Sequence, residues 1–210
     1  MQCNMVSGGR PLMGLRLPSD PYWARLATQS LEVILTDHAW LEQKAASSCI
    51  SLIVHYSNCV ELVRTLAPVV SEEWGHFRMV LHELWKRGLS LGPPRKDEYA
   101  NQLMGWVRRG QGRDIQLLDR LVVGALIEAR SCERFRLLSE QVADSDLARF
   151  YHDLMISEAR HYRTFLELAE VYFREENVRQ RWEEGLAYEA EILQQMARRL
   201  DRMHDGLAQK

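Results

Sequence analysis

Apolar residues recur every three to four positions in four long stretches of this chain. Residues 30–55 carry Leu31, Leu35, His38, Glu42, Ala46, Cys49 and Ile53 on one stripe, and residues 58–88 carry Leu62, Leu66, Val69, Glu73, His76, Phe77, Val80 and Leu84. Residues 114–141 carry Leu117, Leu121, Ala125, Glu128, Cys132 and Phe135; residues 144–173 carry Tyr151, Leu154, Glu158, His161, Tyr162, Phe165 and Leu168. This is the period of an amphipathic α-helix. No run alternates β-branched and polar residues between turns, so the pattern predicts an all-α fold. Asp20-Pro21 reads as an N-cap and first helical residue, opening a short helix to about Thr28. Asn58 to Glu61 has capping-box form, Pro68 predicts a kink, and Asp144 caps the fourth stretch. Residues 88–112, with Gly92-Pro93-Pro94, form a long connector holding a short helix near 96–108, and a last helix is expected over 177–203.

Each stripe is interrupted near its middle by a glutamate. Glu42 and Glu73 are 31 residues apart with their midpoint at the turn near Ser57-Asn58; Glu128 and Glu158 are 30 apart with their midpoint at Ala143. In an antiparallel hairpin each glutamate then lies ~15 residues, or ~22 Å, from its turn, level with its partner. The order glutamate, turn, Glu-x-x-His occurs twice, as Glu42 with Glu73/His76 and as Glu128 with Glu158/His161. The chain therefore reads as a pseudo-twofold repeat of two antiparallel hairpins packed as a four-helix bundle.

Such a bundle brings four glutamates and two histidines to one level. One Glu from each of two helices, with Glu-x-x-His from the other two, is the ligand set of carboxylate-bridged di-iron bundles. Carboxylate and imidazole donors suit iron or manganese, and two Fe²⁺ neutralise four carboxylates. The competing reading, glutamates paired with core cations, finds no Arg or Lys on the four stripes. Unpaired buried carboxylates are too costly to keep without a metal. His38, one turn before Glu42, reads as a packed or supporting histidine. Asp37 is a candidate acceptor for a ligand imidazole. Glu72 and Glu133 lie off the stripes, as surface or supporting groups.

The 210 residues, 46% hydrophobic and 27% charged, are those of one globular domain, placed here at residues 20–205. Residues 1–19, with Gly8, Gly9, Pro11 and Pro18, read as a flexible N-terminal segment without a signal-peptide core. No apolar run is long enough for a membrane span, so a cytoplasmic location and no membrane partner are expected. The four cysteines lack metal-ligand spacing and read as free thiols. Net charge is −2, but Lys86, Arg87, Arg95, Lys96, Arg108, Arg109 and Arg113 face only Asp97 and Glu98 between positions 86 and 113. That excess marks either an anionic partner or a solvated connector.

The stretches Asp37-His-Ala-x-x-Glu-x-Lys-Ala-Ala46, Glu72-Glu-x-x-His-Phe77, Gly124-Ala-Leu-Ile-Glu-Ala-Arg-Ser-Cys-Glu-Arg-Phe135, Phe150-Tyr151 and Ser157-Glu-Ala-Arg-His161 resemble a known family. It is the bacterial tRNA hydroxylases acting on 2-methylthio-N6-isopentenyladenosine beside the anticodon, and the resemblance covers about residues 20–195. It implies a ferritin-like four-helix bundle with a long crossover connector and extra N- and C-terminal helices. It implies two iron ions held by Glu42, Glu73, His76, Glu128, Glu158 and His161, with O₂ as co-substrate, tRNA as partner and an external donor such as a ferredoxin or flavoprotein reductase. Phe77, Tyr162, Phe165, Cys49 and Cys132 are candidates for a prenyl pocket, or else ordinary packing. Arg108, Arg109 and Arg113 are the expected tRNA contacts. The chain departs from the family pattern at Trp40-Leu41 and Trp74-Gly75, beside ligands, where pocket shape is at stake. The competing class is a ferritin- or rubrerythrin-type iron-binding or peroxide-scavenging bundle, which needs no nucleic-acid substrate and no basic surface.

Overall fold

The computed structural model describes residues 12–197, 199, 201–204 and 206, and among them the chain is almost wholly helical with no β-strand. The helices are α1 (Pro21–Ala27), α2 (Leu31–His55), α3 (Val60–Lys86), α4 (Glu98–Gly105), α5 (Arg113–Gln141), α6 (Ser145–Tyr172) and α7 (Glu175–Gln195). Pairing of α2 with α3 and of α5 with α6 makes the two hairpins, and α3 lies against α6. The C-terminus of α2 meets the N-terminus of α5, where the Tyr56 hydroxyl donates to the Arg113 carbonyl at 3.1 Å. The expected four-helix bundle of two hairpins is present, with α1, α4 and α7 packed around α5.

Local chemistry explains several helix ends. The Asp20 carboxylate accepts from Tyr22 N before Pro21 opens α1, and Asp144 accepts from Asp146 N and Leu147 N at the start of α6. At the end of α3, Gly88 takes a φ of 69°, a left-handed position that costs glycine little. Three expectations fail. The Asn58–Glu61 box does not form: Cys59 precedes α3 without a side-chain cap, and Glu61 pairs with Arg64 instead. The last helix stops at Gln195 rather than near 203. Residues 15–19 also lie against the domain rather than loose, with Leu15 buried and Ser19 donating to Glu133. Residues 1–11 of that expected flexible segment lie outside the described residues.

Two apolar clusters fill the bundle, one toward the α2–α3 turn and one toward the opposite end. The first includes Leu52, Leu62, Leu66, Leu121 and Leu168. The second includes Ile34, Leu35, Leu84, Leu138 and Leu147. The four glutamates sit between them. The crossover 87–97 runs along α2, where Trp40 Nε1 donates to the Gly92 carbonyl at 3.0 Å and Lys44 Nζ to the Arg95 carbonyl at 2.6 Å. Trp40 thus anchors the connector.

Candidate metal centre and its cavity

Glu42, Glu73, His76 and Glu158 place one donor atom each within 4.8 Å of one another, and so do Glu73, Glu128, Glu158 and His161. All six residues are buried. The two quartets share Glu73 and Glu158, so each has one private glutamate, one private histidine and two common carboxylates. The helical period makes this possible: Glu73 and His76, like Glu158 and His161, are three residues apart on one face. His76 Nδ1 lies 3.6 Å from Glu42 Oε2, 3.5 Å from Glu73 Oε2 and 3.5 Å from Glu158 Oε1. His161 Nδ1 lies 2.5 Å from Glu73 Oε1 and 3.7 Å from Glu158 Oε2. These approaches are close but not aligned as hydrogen bonds. Both Glu73 oxygens, Glu158 Oε1, His76 Nδ1 and His161 Nδ1 are buried without a hydrogen-bond partner. So many orphaned donors converging on one point fit a pair of metal ions. An all oxygen-and-nitrogen set of this kind suits iron or manganese.

Neighbouring groups fix the orientation of this set. His161 Nε2 lies 3.0 Å from Glu72 Oε2, which holds the ring with Nδ1 inward. His38 Nε2 lies 2.7 Å from Glu42 Oε1, so His38 supports that carboxylate as expected of it. Burial pushes the Glu42 carboxyl up, but His38 and His76 outweigh it and hold the group well below the usual range. Glu128 and Glu158 are instead pushed well above it, by burial and then by neighbouring carboxylates. Burial lowers both ligand-candidate histidines, yet the surrounding carboxylates raise His76 to about 10 and His161 to about 9.

Asp37 does not serve this site. It accepts from Arg202 Nη1 at 2.6 Å and from Met203 N at 2.9 Å, fastening the C-terminal segment to α2. Glu133 is neither superficial nor a support: buried, it pairs with Arg130 and accepts from Ser19.

A cavity of about 220 Å³ opens between α2 and α5 and reaches Glu42, Glu73, Glu128 and Glu158. Cys49 and Phe165 line it; Leu52, Val123, Gly124 and Ile127 extend its apolar wall. A Cβ on Gly124 would stand 2.8 Å from the Phe165 ring, so only glycine lets that ring in. The other pocket candidates are elsewhere. Phe77 packs against Trp74, ring centroids 4.9 Å apart, in the second apolar cluster. Tyr162 packs on Trp182 of α7 at 5.5 Å, and the Cys132 thiol is turned to the Met155 carbonyl. Of the unusual positions, Leu41 lines the cavity, while Trp74 is half exposed and Gly75 has open space around it. Lys44, Asp97, Arg120, Ser131 and His204 make a polar part of the wall; they lie off the apolar stripes, so the helical pattern carries no signal for them.

The three expected tRNA arginines separate. Arg108 is committed to Asp119, which it grips through Nε, Nη2 and its own backbone N. Arg109 and Arg113 are exposed, and Arg113 lies over the Tyr56 ring at 5.1 Å.

Residues 12–205 match the model of the family described as tRNA-(MS2IO6A)-hydroxylase (MiaE). A Pseudomonas putida tRNA 2-(methylsulfanyl)-N6-isopentenyladenosine(37) hydroxylase is 40% identical over 195 residues, covering 93% of each chain. The Salmonella typhimurium protein of the same description is 37% identical over 110 residues, 52% of this chain and 40% of that one. A solved Synechococcus protein with aldehyde deformylating oxygenase activity superposes with a TM-score of 0.85 at 34% identity, covering 91% of this chain and 96% of that one.

Proposed function

This chain belongs to the tRNA-(MS2IO6A)-hydroxylase family, and from that premise we propose that it is an O₂-dependent di-iron monooxygenase. Its substrate is the isopentenyl group of 2-methylthio-N6-isopentenyladenosine next to the tRNA anticodon. The observation that carries the reading is the pair of buried quartets sharing Glu73 and Glu158 at the floor of an apolar cavity. Glu42, Glu73, His76, Glu128, Glu158 and His161 would hold the irons. Bound there, two irons supply the redox chemistry that puts one atom of O₂ into a C–H bond and reduces the other to water with two electrons and two protons. Those electrons come from an external donor, a ferredoxin or flavoprotein reductase.

The protein's own task is positioning. Glu72 and His38 fix the orientations of His161 and Glu42. Cys49, Leu52, Val123, Ile127 and Phe165 hold the prenyl group beside the carboxylates and keep water from it. Five buried carbons contribute on the order of 4 kcal/mol. Arg109 and Arg113 offer charge to the tRNA backbone. The working unit is one ferritin-like domain that includes residues 15–19 packed on α5, acting in the cytoplasm where tRNA is found. No described helix is long and apolar enough to cross a membrane.

A ferritin- or rubrerythrin-type role needs no organic pocket, and the cavity beside the glutamates favours a substrate. The decisive assay supplies iron-loaded protein with tRNA bearing the unhydroxylated base, a reductant and ¹⁸O₂. The expected product is a nucleoside heavier by one labelled oxygen. Iron oxidation without nucleoside product, or turnover only of an aliphatic aldehyde, would replace this reading by iron handling or by the activity of the Synechococcus protein.

A further inference from the structure

Arg120 lines the cavity from α5, and its Nε is buried without a hydrogen-bond partner. No carboxylate pairs with it among the described residues, whereas Arg108, Arg130 and Arg181 each grip one. Arg120 is partly buried, and an Nε shut off from water with no acceptor is a costly arrangement that a ligand would relieve. Arg120 also stands where an anionic ligand would end. It is eight residues before Glu128 on the same helix, a separation of ~12 Å along the axis. The wall between the two is apolar: Val123, Gly124 and Ile127 from α5, with Cys49 and Leu52 from α2 and Phe165 from α6. Two turns earlier on the same side of α5, exposed Arg113 continues the basic row outward.

We propose that Arg120 is a substrate-positioning residue that holds a backbone phosphate of the target nucleotide while the prenyl tail reaches the glutamates. This rests on the tRNA reading above. An isopentenyl group and a purine laid end to end fill the apolar stretch, which brings the sugar and its phosphates to the guanidinium. Arginine suits the task because its planar fork takes two phosphate oxygens at once. The phosphate also fixes how deep the tail can slide, and so which carbon faces the centre.

The test is equilibrium binding of 2-methylthio-N6-isopentenyladenosine and of its 5′- and 3′-monophosphates to the full chain. Wild type should bind one monophosphate roughly tenfold more tightly than the nucleoside. Arg120→Leu should lose that preference while keeping its nucleoside affinity, and Arg120→Lys should restore part of it. A merely structural arginine would move all three ligands together. Equal binding of nucleoside and both monophosphates by wild type, or an intact preference in Arg120→Leu, overturns the proposal. If the preference survives the substitution while wild type hydroxylates tRNA, Arg120 is excluded and the hydroxylase reading stands. If the preference is lost but wild type forms no tRNA product, the phosphate site stands and the tRNA reading falls.

Discussion

Glu128 and Arg130 are two residues apart on α5 and enter two buried polar clusters of opposite character. Around Arg130 every guanidinium N–H is used: Nε and Nη2 bond Glu189, Nη1 bonds Ser19 and Glu133, and Nη2 also bonds the Leu17 carbonyl. Around Glu128 four carboxylates and two imidazoles converge with no Arg or Lys among them, and several of their inward atoms have no partner. The first cluster pairs its cation with two carboxylates, leaves only Glu189 Oε2 without a partner, and ties α5 to α7 and to the segment before α1. The second is left open at its centre. Burial alone therefore does not mark a functional site in this bundle; the absence of internal compensation does.

The largest effect expected from breaking the comparison is on chemistry. Glu158→Ala removes a carboxylate common to both quartets, so turnover should fall to background and iron content should drop from about two per chain. Helix content by circular dichroism should hardly change, because the two apolar clusters on either side carry the bundle. Hydroxylated nucleoside from this variant at the wild-type rate would remove Glu158 from the centre.

The second prediction falls on the closed cluster. Arg130→Leu strands Glu133 and Glu189 without their cation, and breaking one partner of a buried pair costs about 3–5 kcal/mol. Chemical denaturation should show that loss with or without iron. A midpoint unchanged within error would mean that the network carries no weight in stability.

How far each cluster was legible follows from the same contrast. The open one announces itself because glutamate on an apolar stripe has no bland explanation, and because hairpin symmetry fixes which glutamates share a level. The closed one does not: Glu189 is 59 residues from Arg130, on a helix whose placement no period reveals. The candidate role of Asp37 fails for a similar reason, since its partners Arg202 and Met203 lie beyond the end of α7 in a stretch whose pattern predicts helix. Arg108 looked free because Asp119 lies on the next helix. For the pocket, a stripe names the residues near the centre but not the side on which the helices part. That gap is between α2 and α5, so Cys49 and Phe165 meet it, while Phe77 packs near Trp74 and Tyr162 faces α7.

A third prediction uses protons to separate the clusters. His76 and His161 are raised to about 10 and 9 in the metal-free site, so both carry a proton at neutral pH that a metal must displace. Affinity for Fe²⁺ should therefore rise with pH between 6 and 8, by up to about 1.4 kcal/mol per pH unit for each proton released. Calorimetry in buffers of different ionisation enthalpy should count about two protons or more per chain loaded. Binding that releases none would mean that the imidazoles are already neutral and that carboxylate repulsion is relieved by some other route.

The smallest expected effect is the one whose sign matters most. In the metal-free protein Glu128 is buried among carboxylates and its pKa is well above the ordinary value. A group with a raised folded pKa contributes stability that is fully present below the unfolded pKa and is lost as pH rises through the folded value. At neutral pH Glu128 is thus a net burden that iron, when bound, removes. Glu128→Gln keeps the shape and deletes the ionisable proton, so the metal-free variant should be more stable than wild type by about 1 kcal/mol. The gain should shrink toward pH 4, where wild-type Glu128 keeps its proton. With iron the order should reverse, since the variant lacks a ligand. Arg130→Leu, in the closed cluster, should destabilise under every one of these conditions. Denaturation of both variants at pH 4 and pH 7, with and without Fe²⁺, would decide it: a Glu128→Gln protein less stable than wild type without metal would mean that this carboxylate is already compensated from within.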